Sequence, residues 1–280
     1  MYKKFIVCLF ASAVLVGCKK RVEEEIASTV TSADMATIEG SFNDVQKVSD
    51  DALQDEESTK SNQFGIMYGS GVTVTVTPAW PDTTFPKTVR IDFGEGAQGL
   101  AGRTRKGVVE IVATGRYRQE GATFTISPMD YYVNDSKVEG QKIVTNKGRN
   151  NQGNLNYDIQ IVDGKVIEAN GRTLEWESLR NREWIAGETT TFLSDGWSGI
   201  TDDVYLITGT GSGVNRNGRN FDVTITEGLR VQLDCKWITS GTFELAPEGV
   251  TKRIVDYGDG SCDAKATVTV NGKDYEVVMW

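Results

Sequence analysis

The chain has 280 residues, carries 39 acidic against 30 basic side chains, and contains no histidine. The missing imidazole excludes Ser-His-Asp and Cys-His catalysis and every histidine-ligated metal site. The acidic balance argues against nucleic acid as a partner and against electrostatic docking on anionic lipid.

Lys3 and Lys4 precede an apolar run from Phe5 to Val16, too short to span a bilayer comfortably. The run ends in Leu15-Val16-Gly17-Cys18, which resembles a bacterial lipobox. In such signals the peptide is cut before the cysteine, and the cysteine thiol receives a lipid. Residues 1–17 therefore read as a lipoprotein signal peptide and Cys18 as the lipidation site. Cleavage leaves 28 basic against 39 acidic side chains. One acyl chain holds a protein only marginally, at ~0.8 kcal/mol per buried CH₂, and two or more anchor it stably. The membrane is an expected partner through that lipid alone, with palmitate-type acyl chains.

Residues 18–62 read as an acidic tether, rich in Ser, Thr, Asp and Glu. Within it Met35, Ile38, Phe42, Val45 and Val48 recur at spacings of three and four. They predict a short amphipathic helix from Ala33 to about Asp50, capped by Ser32 and packed loosely on the domain.

From residue 63 to 280 the period switches to two. Val72, Val74 and Val76 alternate with threonines, and Val89, Ile91 and Phe93 with Thr88, Arg90 and Asp92. Leu229, Val231, Leu233, Cys235 and Trp237 share one strand face in this reading. Asp163-Gly164, Asn170-Gly171, Asn217-Gly218 and Asn271-Gly272 supply the positive φ that tight hairpins need. Tyr157 to Trp184 then reads as three consecutive antiparallel strands. The fold class is all-β: an antiparallel meander forming either a sandwich or a long twisted sheet, with two β sub-units as an option. One hint of duplication is the similarity of Lys87–Gly96 to Thr251–Gly260, each ending in Asp-aromatic-Gly-acid-Gly. Shared turn chemistry explains it equally well.

Once Cys8 leaves with the signal and Cys18 carries lipid, Cys235 and Cys262 remain as an even pair in an oxidising compartment. A disulfide is expected there, closing about 28 residues and worth ~3–4 kcal/mol in the chain-entropy model.

Several constellations bear on chemistry. Gly94-x-Gly96-x-x-Gly99 matches the dinucleotide fingerprint but is followed by a polar, glycine-rich stretch instead of a helix. Asp256, Asp259 and Asp263 miss the EF-hand pattern, since its third position is Gly258. Glu175 and Glu177 share a strand face at roughly 6.5–7 Å, a separation seen in inverting glycosidases, although a solvated face explains them better. Trp176, Arg180, Arg182 and Trp184 share the opposite face. They are the candidate glycan or ligand surface, with cation–π packing as the commoner use of such a ladder. No metal site and no cofactor is expected.

Taken as a set, several segments resemble a family of uncharacterised cell-envelope lipoproteins from Bacteroidota. These include Ile91-Asp-Phe-Gly-Glu-Gly96, Gly102-Arg-Thr-Arg-Lys-Gly107, Leu174-Glu-Trp-Glu-Ser178 and Asp256-Tyr-Gly-Asp-Gly-Ser-Cys-Asp263. Relatives of this type often carry a cysteine where this chain has Ala97, which leaves Cys235 and Cys262 to pair with each other. The resemblance implies an outer-membrane lipoprotein, facing the periplasm or the cell surface, and implies no activity. The expectation is a non-enzymatic binding or structural role, with an envelope protein or glycan as candidate partner. The alternative is a carbohydrate-active protein, either a glycan-binding module or a histidine-free glycosidase.

Overall fold

The computed structural model describes residues 15–53, 65, 67–99, 102–190, 195–196 and 198–278, with only the backbone for 15–28 and 200. Helix α1 (Leu15–Leu53) leads into β1 (Thr73–Thr77), β2 (Lys87–Asp92), β3 (Ala97–Gln98), β4 (Thr104–Ala113) and β5 (Thr123–Val133). There follow β6 (Ser136–Arg149), β7 (Leu155–Ile167), β8 (Thr173–Ala186), the single turn α2 (Ser198–Thr201) and β9 (Val204–Val214). The chain continues through β10 (Asn220–Gln232), β11 (Ile238–Pro247), β12 (Arg253–Asp259), β13 (Lys265–Val270) and β14 (Lys273–Val278).

All fourteen strands lie in one sheet, in chain order, with β3 set aside against β4 alone. Every pairing is antiparallel, as short hairpins require. The meander is thus a long twisted sheet, open at β1 and β14, and not a sandwich.

The sheet coils around α1. β-Bulges raise local twist and bend a strand, and here they recur from one hairpin to the next. Register breaks between Lys106 and Val108, Glu139 and Gln141, and Ile161 and Gly164. Gly107 (φ 83°) faces Asp130 (φ 44°), and Gly140 (φ 103°) faces Asp163 (φ 52°). A Cβ on Gly107 would stand 2.0 Å from the Asp130 carbonyl oxygen, so only glycine lets the two backbones approach.

One turn differs from the sequence expectation. Asp163-Gly164 does supply a positive φ, but inside β7 as a bulge, and β7 runs on to Ile167. Tyr157–Trp184 therefore spans two strands, not three. Asn271-Gly272 (φ 53° and 70°) is the expected two-residue hairpin, while Asn170-Gly171 and Asn217-Gly218 sit within five-residue loops. Alternation in β10 also ends early. Leu233 is 40% exposed, and the Cys235 amide closes a turn on Gln232, so Cys235 lies past the strand.

The predicted helix over Ala33–Asp50 is part of a longer one whose described side chains are largely enclosed. Ser32 lies inside it and is not a cap. Ile38, Phe42, Val45 and Val48 are fully buried against Ile91, Val109, Ile111, Phe124, Ile126 and Trp176 in one hydrophobic core. Ser41 and Ser49, poor helix formers in isolation, return their hydroxyls to the Thr37 and Val45 carbonyls. The helix thus owes its place to burial within the sheet, and it does not pack loosely.

Candidate functional site

The inner face of the sheet is apolar with inward-pointing cations, and α1 brings acids to meet them. A buried charge costs heavily unless paired. Midway along α1, the Asp34 carboxylate accepts from the Arg216 backbone and guanidinium, and Thr31 accepts from Asn215 Nδ2 at 2.8 Å. Arg180 reaches Glu39 at 2.9 Å.

Farther along α1, Asp44 accepts from Arg103 Nη1 (2.9 Å), Arg105 Nε (3.0 Å), Arg105 Nη2 (2.5 Å) and Tyr131 Oη (2.7 Å). Burial pushes this carboxyl upward. The hydrogen bonds and charge of Arg105, helped by Tyr131 and Arg103, overcome that and hold it below the usual carboxylate range. Near the helix end, Asp50 accepts from Arg182 Nη1 (2.6 Å) and Tyr117 Oη (2.8 Å), and Arg182 Nη2 donates to the Tyr117 hydroxyl. Burial holds the Tyr117 and Tyr205 hydroxyls far above their ordinary values.

Two titratable groups sit apart from these pairs. Lys142 Nζ donates to the Phe42 carbonyl at 3.1 Å, and burial lowers its pKa to about 7 despite the pull of Asp50. No salt bridge forms to it among the described residues. Asp203 accepts from Trp184 Nε1 and Tyr205 Oη, each at 3.0 Å, and burial raises it to about 6.

The four residues expected as a glycan or ligand surface are part of this interior. Trp176 is 1% exposed and stacks on Phe221, Arg180 and Arg182 are tied to α1, and Trp184 is 1% exposed against Tyr205. Their alternation was legible, but the face they line is the one α1 fills, so they are not an external surface.

Glu175 and Glu177 do face solvent, on the outer side of β8. With Asp163, Lys165, Ser212, Asn220 and Asp222 they border a groove of about 900 Å³, solvent included, floored by the backbone of Gly164 and Gly213. Glu177 Oε1 accepts from the Asp163 amide at 2.7 Å and so braces the β7 bulge. The groove is open, with Trp176, Val214 and Phe221 beside its polar groups, unlike the water-excluding cleft in which one carboxyl of a glycosidase is held protonated.

The glycines of the dinucleotide-like stretch lie in the β2–β4 connection, where Gly94 N donates to Asp92 Oδ1 at 2.8 Å. The second Asp-aromatic-Gly segment repeats that bond, Gly258 N to Asp256 Oδ1 at 2.8 Å, but at a register break opposite β11. Asp259 and Asp263 likewise accept backbone amides two residues on. Those aspartates serve turns and bulges. Cys235 and Cys262 are disulfide-bonded, with Cα atoms 5.8 Å apart, tying the β10–β11 loop to the β12–β13 loop. Cys18 falls in the first turns of α1, where its side chain is not described, and residues 1–14 lie outside the described residues. Comparison with protein-family models, with curated proteins and with solved structures finds no match to this chain.

Proposed function

We propose that this protein is a lipid-anchored cell-envelope lipoprotein with a non-enzymatic binding or structural role. The observation that carries the reading is the continuity of α1. The helix that contains Cys18 is the same helix that fills the concave face of the sheet. A lipid on Cys18 would therefore be joined to the core by regular helix, with ~20 Å of helical rise between Cys18 and Thr31. No helix among the described residues is long and apolar enough to cross a membrane. The sheet interior, where a small-molecule pocket would be expected, is occupied by the chain's own side chains. The resemblance to Bacteroidota envelope lipoproteins supports an outer-membrane location on the same reading.

The test is acylation. Expressed with its leader, the wild type should yield a mature form cut before Cys18, carrying acyl mass and partitioning into detergent. Cys18→Ala should be uncleaved or soluble. A Cys18→Ala protein that still matures as an acylated form would end the proposal. The carbohydrate-active alternative rests on the outer groove beside Glu175 and Glu177, whose hydroxyl, amide and carboxylate groups suit a glycan better than an apolar ligand.

A further inference from the structure

The two edges of the open sheet are not alike. At one edge, β1 has Val74 and Val76 packed against the core and runs directly into Pro78, whose carbonyl is held by Lys87 Nζ at 2.8 Å. At the other edge, every residue of β14 is exposed. Tyr275 (52%), Val277 (37%) and Val278 (55%) account for three of the seven large hydrophobic side chains exposed among the described residues. Nothing among the described residues pairs with the free side of β14.

This edge continues the established core. Val255 lies opposite Val268, and Val268 opposite Tyr275, in one row across β12, β13 and β14. Val277 lies opposite Ala266 in the neighbouring row. These residues share the inner face with Phe243 and Leu245, which are buried. Exposure thus rises strand by strand along this apolar row, which Arg253 and Lys273 flank on the same face, and the row ends on an unpaired backbone. An unpaired strand edge is a template for another strand.

We infer that β14 is a docking edge for an extended segment of a partner protein, one that alternates apolar and basic residues. Backbone geometry sets the extended conformation. Tyr275 and Val277 call for apolar side chains on the inner face. Asp274 and Glu276, on the outer face, meet Thr269 Oγ1 (2.6 Å) and Lys265 Nζ (3.6 Å) on β13 and, as exposed carboxylates, still favour lysine or arginine on their open side. The same charges disfavour a second copy of this chain. In an antiparallel two-fold pairing, opposed residues must share a face. Every such register covering most of β14 then sets Asp274 against Glu276, or Glu276 against its own counterpart. Like charges directly opposite are destabilising. The inference deepens the binding role proposed above and rests on that reading.

The experiment uses the mature protein in detergent and a fluorescent octapeptide alternating lysine and valine. The expected result is saturable binding, with amide-exchange protection appearing at residues 274–278. Methylating alternate peptide nitrogens keeps the charge but removes strand donors, and should weaken binding at least tenfold. Asp274→Lys with Glu276→Lys should do the same. Since both residues are exposed, circular dichroism of that variant should match the wild type. Absence of binding, equal binding of the methylated peptide, or protection elsewhere would overturn the inference. So would a mature dimer with amide-exchange protection at residues 274–278 in the absence of peptide, which would make a second copy the occupant. Cys18 acylation is read separately by mass, so failure of the anchor and failure of the docking edge are told apart.

Discussion

Asp44 gives the sharpest test of how α1 is held. Its side chain is 1% exposed and that of Arg105 is 4% exposed, whereas Arg103 is 46% exposed. Asp44→Ala removes the acceptor of four hydrogen bonds and leaves the Arg105 guanidinium buried without its carboxylate. Arg103 can turn to water, and an exposed pair is worth ~0–1 kcal/mol. The cost therefore falls on Arg105 and Tyr131, and breaking a buried pair from one side costs ~3–5 kcal/mol. Removing both charges, as in Asp44→Leu with Arg105→Met, should recover most of that loss, because apolar replacement of a buried pair is often neutral. Urea unfolding at pH 7 gives all three midpoints and slopes. An Asp44→Ala change within ~1 kcal/mol of wild type, or a double variant no better than the single, would refute the reasoning. The pH dependence has a fixed sign. A carboxyl whose folded pKa is depressed contributes its stability in full above the unfolded value of ~3.9 and loses it as pH falls through the folded value. Wild type should therefore lose stability in acid below about pH 4 more steeply than Asp44→Ala.

Two further outcomes follow from the same geometry. Lys142, lowered to about 7 by burial, is neutral in the fold at pH where the unfolded chain still binds its proton. Wild-type stability should therefore rise between about pH 7 and 10.4, by up to ~1.4 kcal/mol per unit from this group, and Lys142→Met should remove that rise. Identical pH profiles for the two proteins from urea midpoints would sink the assignment. Glu177→Gln keeps an oxygen for the Asp163 amide and should change stability by less than ~1 kcal/mol. Neither it nor Glu175→Gln should abolish any turnover on a panel of envelope and host glycans, and wild-type hydrolysis lost in either variant would overturn the non-enzymatic reading.

Strand periodicity made the sheet legible because a half-buried strand must alternate. Val89, Ile91 and Phe93 are buried as their spacing requires. The choice between a sandwich and one long sheet was not legible, because it depends on what covers the inner face. The cover is α1, and its helical spacing was visible while its role was not. A segment of serine, threonine and acid reads as solvated, and the partners of its acids lie far along the chain, 61 residues from Asp44 to Arg105 and 132 from Asp50 to Arg182. The bulge at Asp163-Gly164 was missed for a related reason. A positive φ serves a bulge as well as a turn, and only the register with β8 separates them.

One signal could have exposed the arrangement. Arg180 and Arg182 share a parity with Trp176 and Trp184, so an apolar reading of that face places two cations inside it. Inward cations demand buried acids. The strands supply few, because their carboxylates at Glu175, Glu177 and Asp222 have outward parity. The acids had to come from elsewhere, and Asp34, Asp44 and Asp50 stand on the one long helix among the described residues. The supposed surface ladder and the supposed tether are thus two halves of one interface. A pull on Cys18 would act along a helix held by Asp34, Glu39, Asp44 and Asp50, whose partners reach from β4 to the β9–β10 loop. The sheet would then resist extraction as a whole, instead of yielding one hairpin at a time.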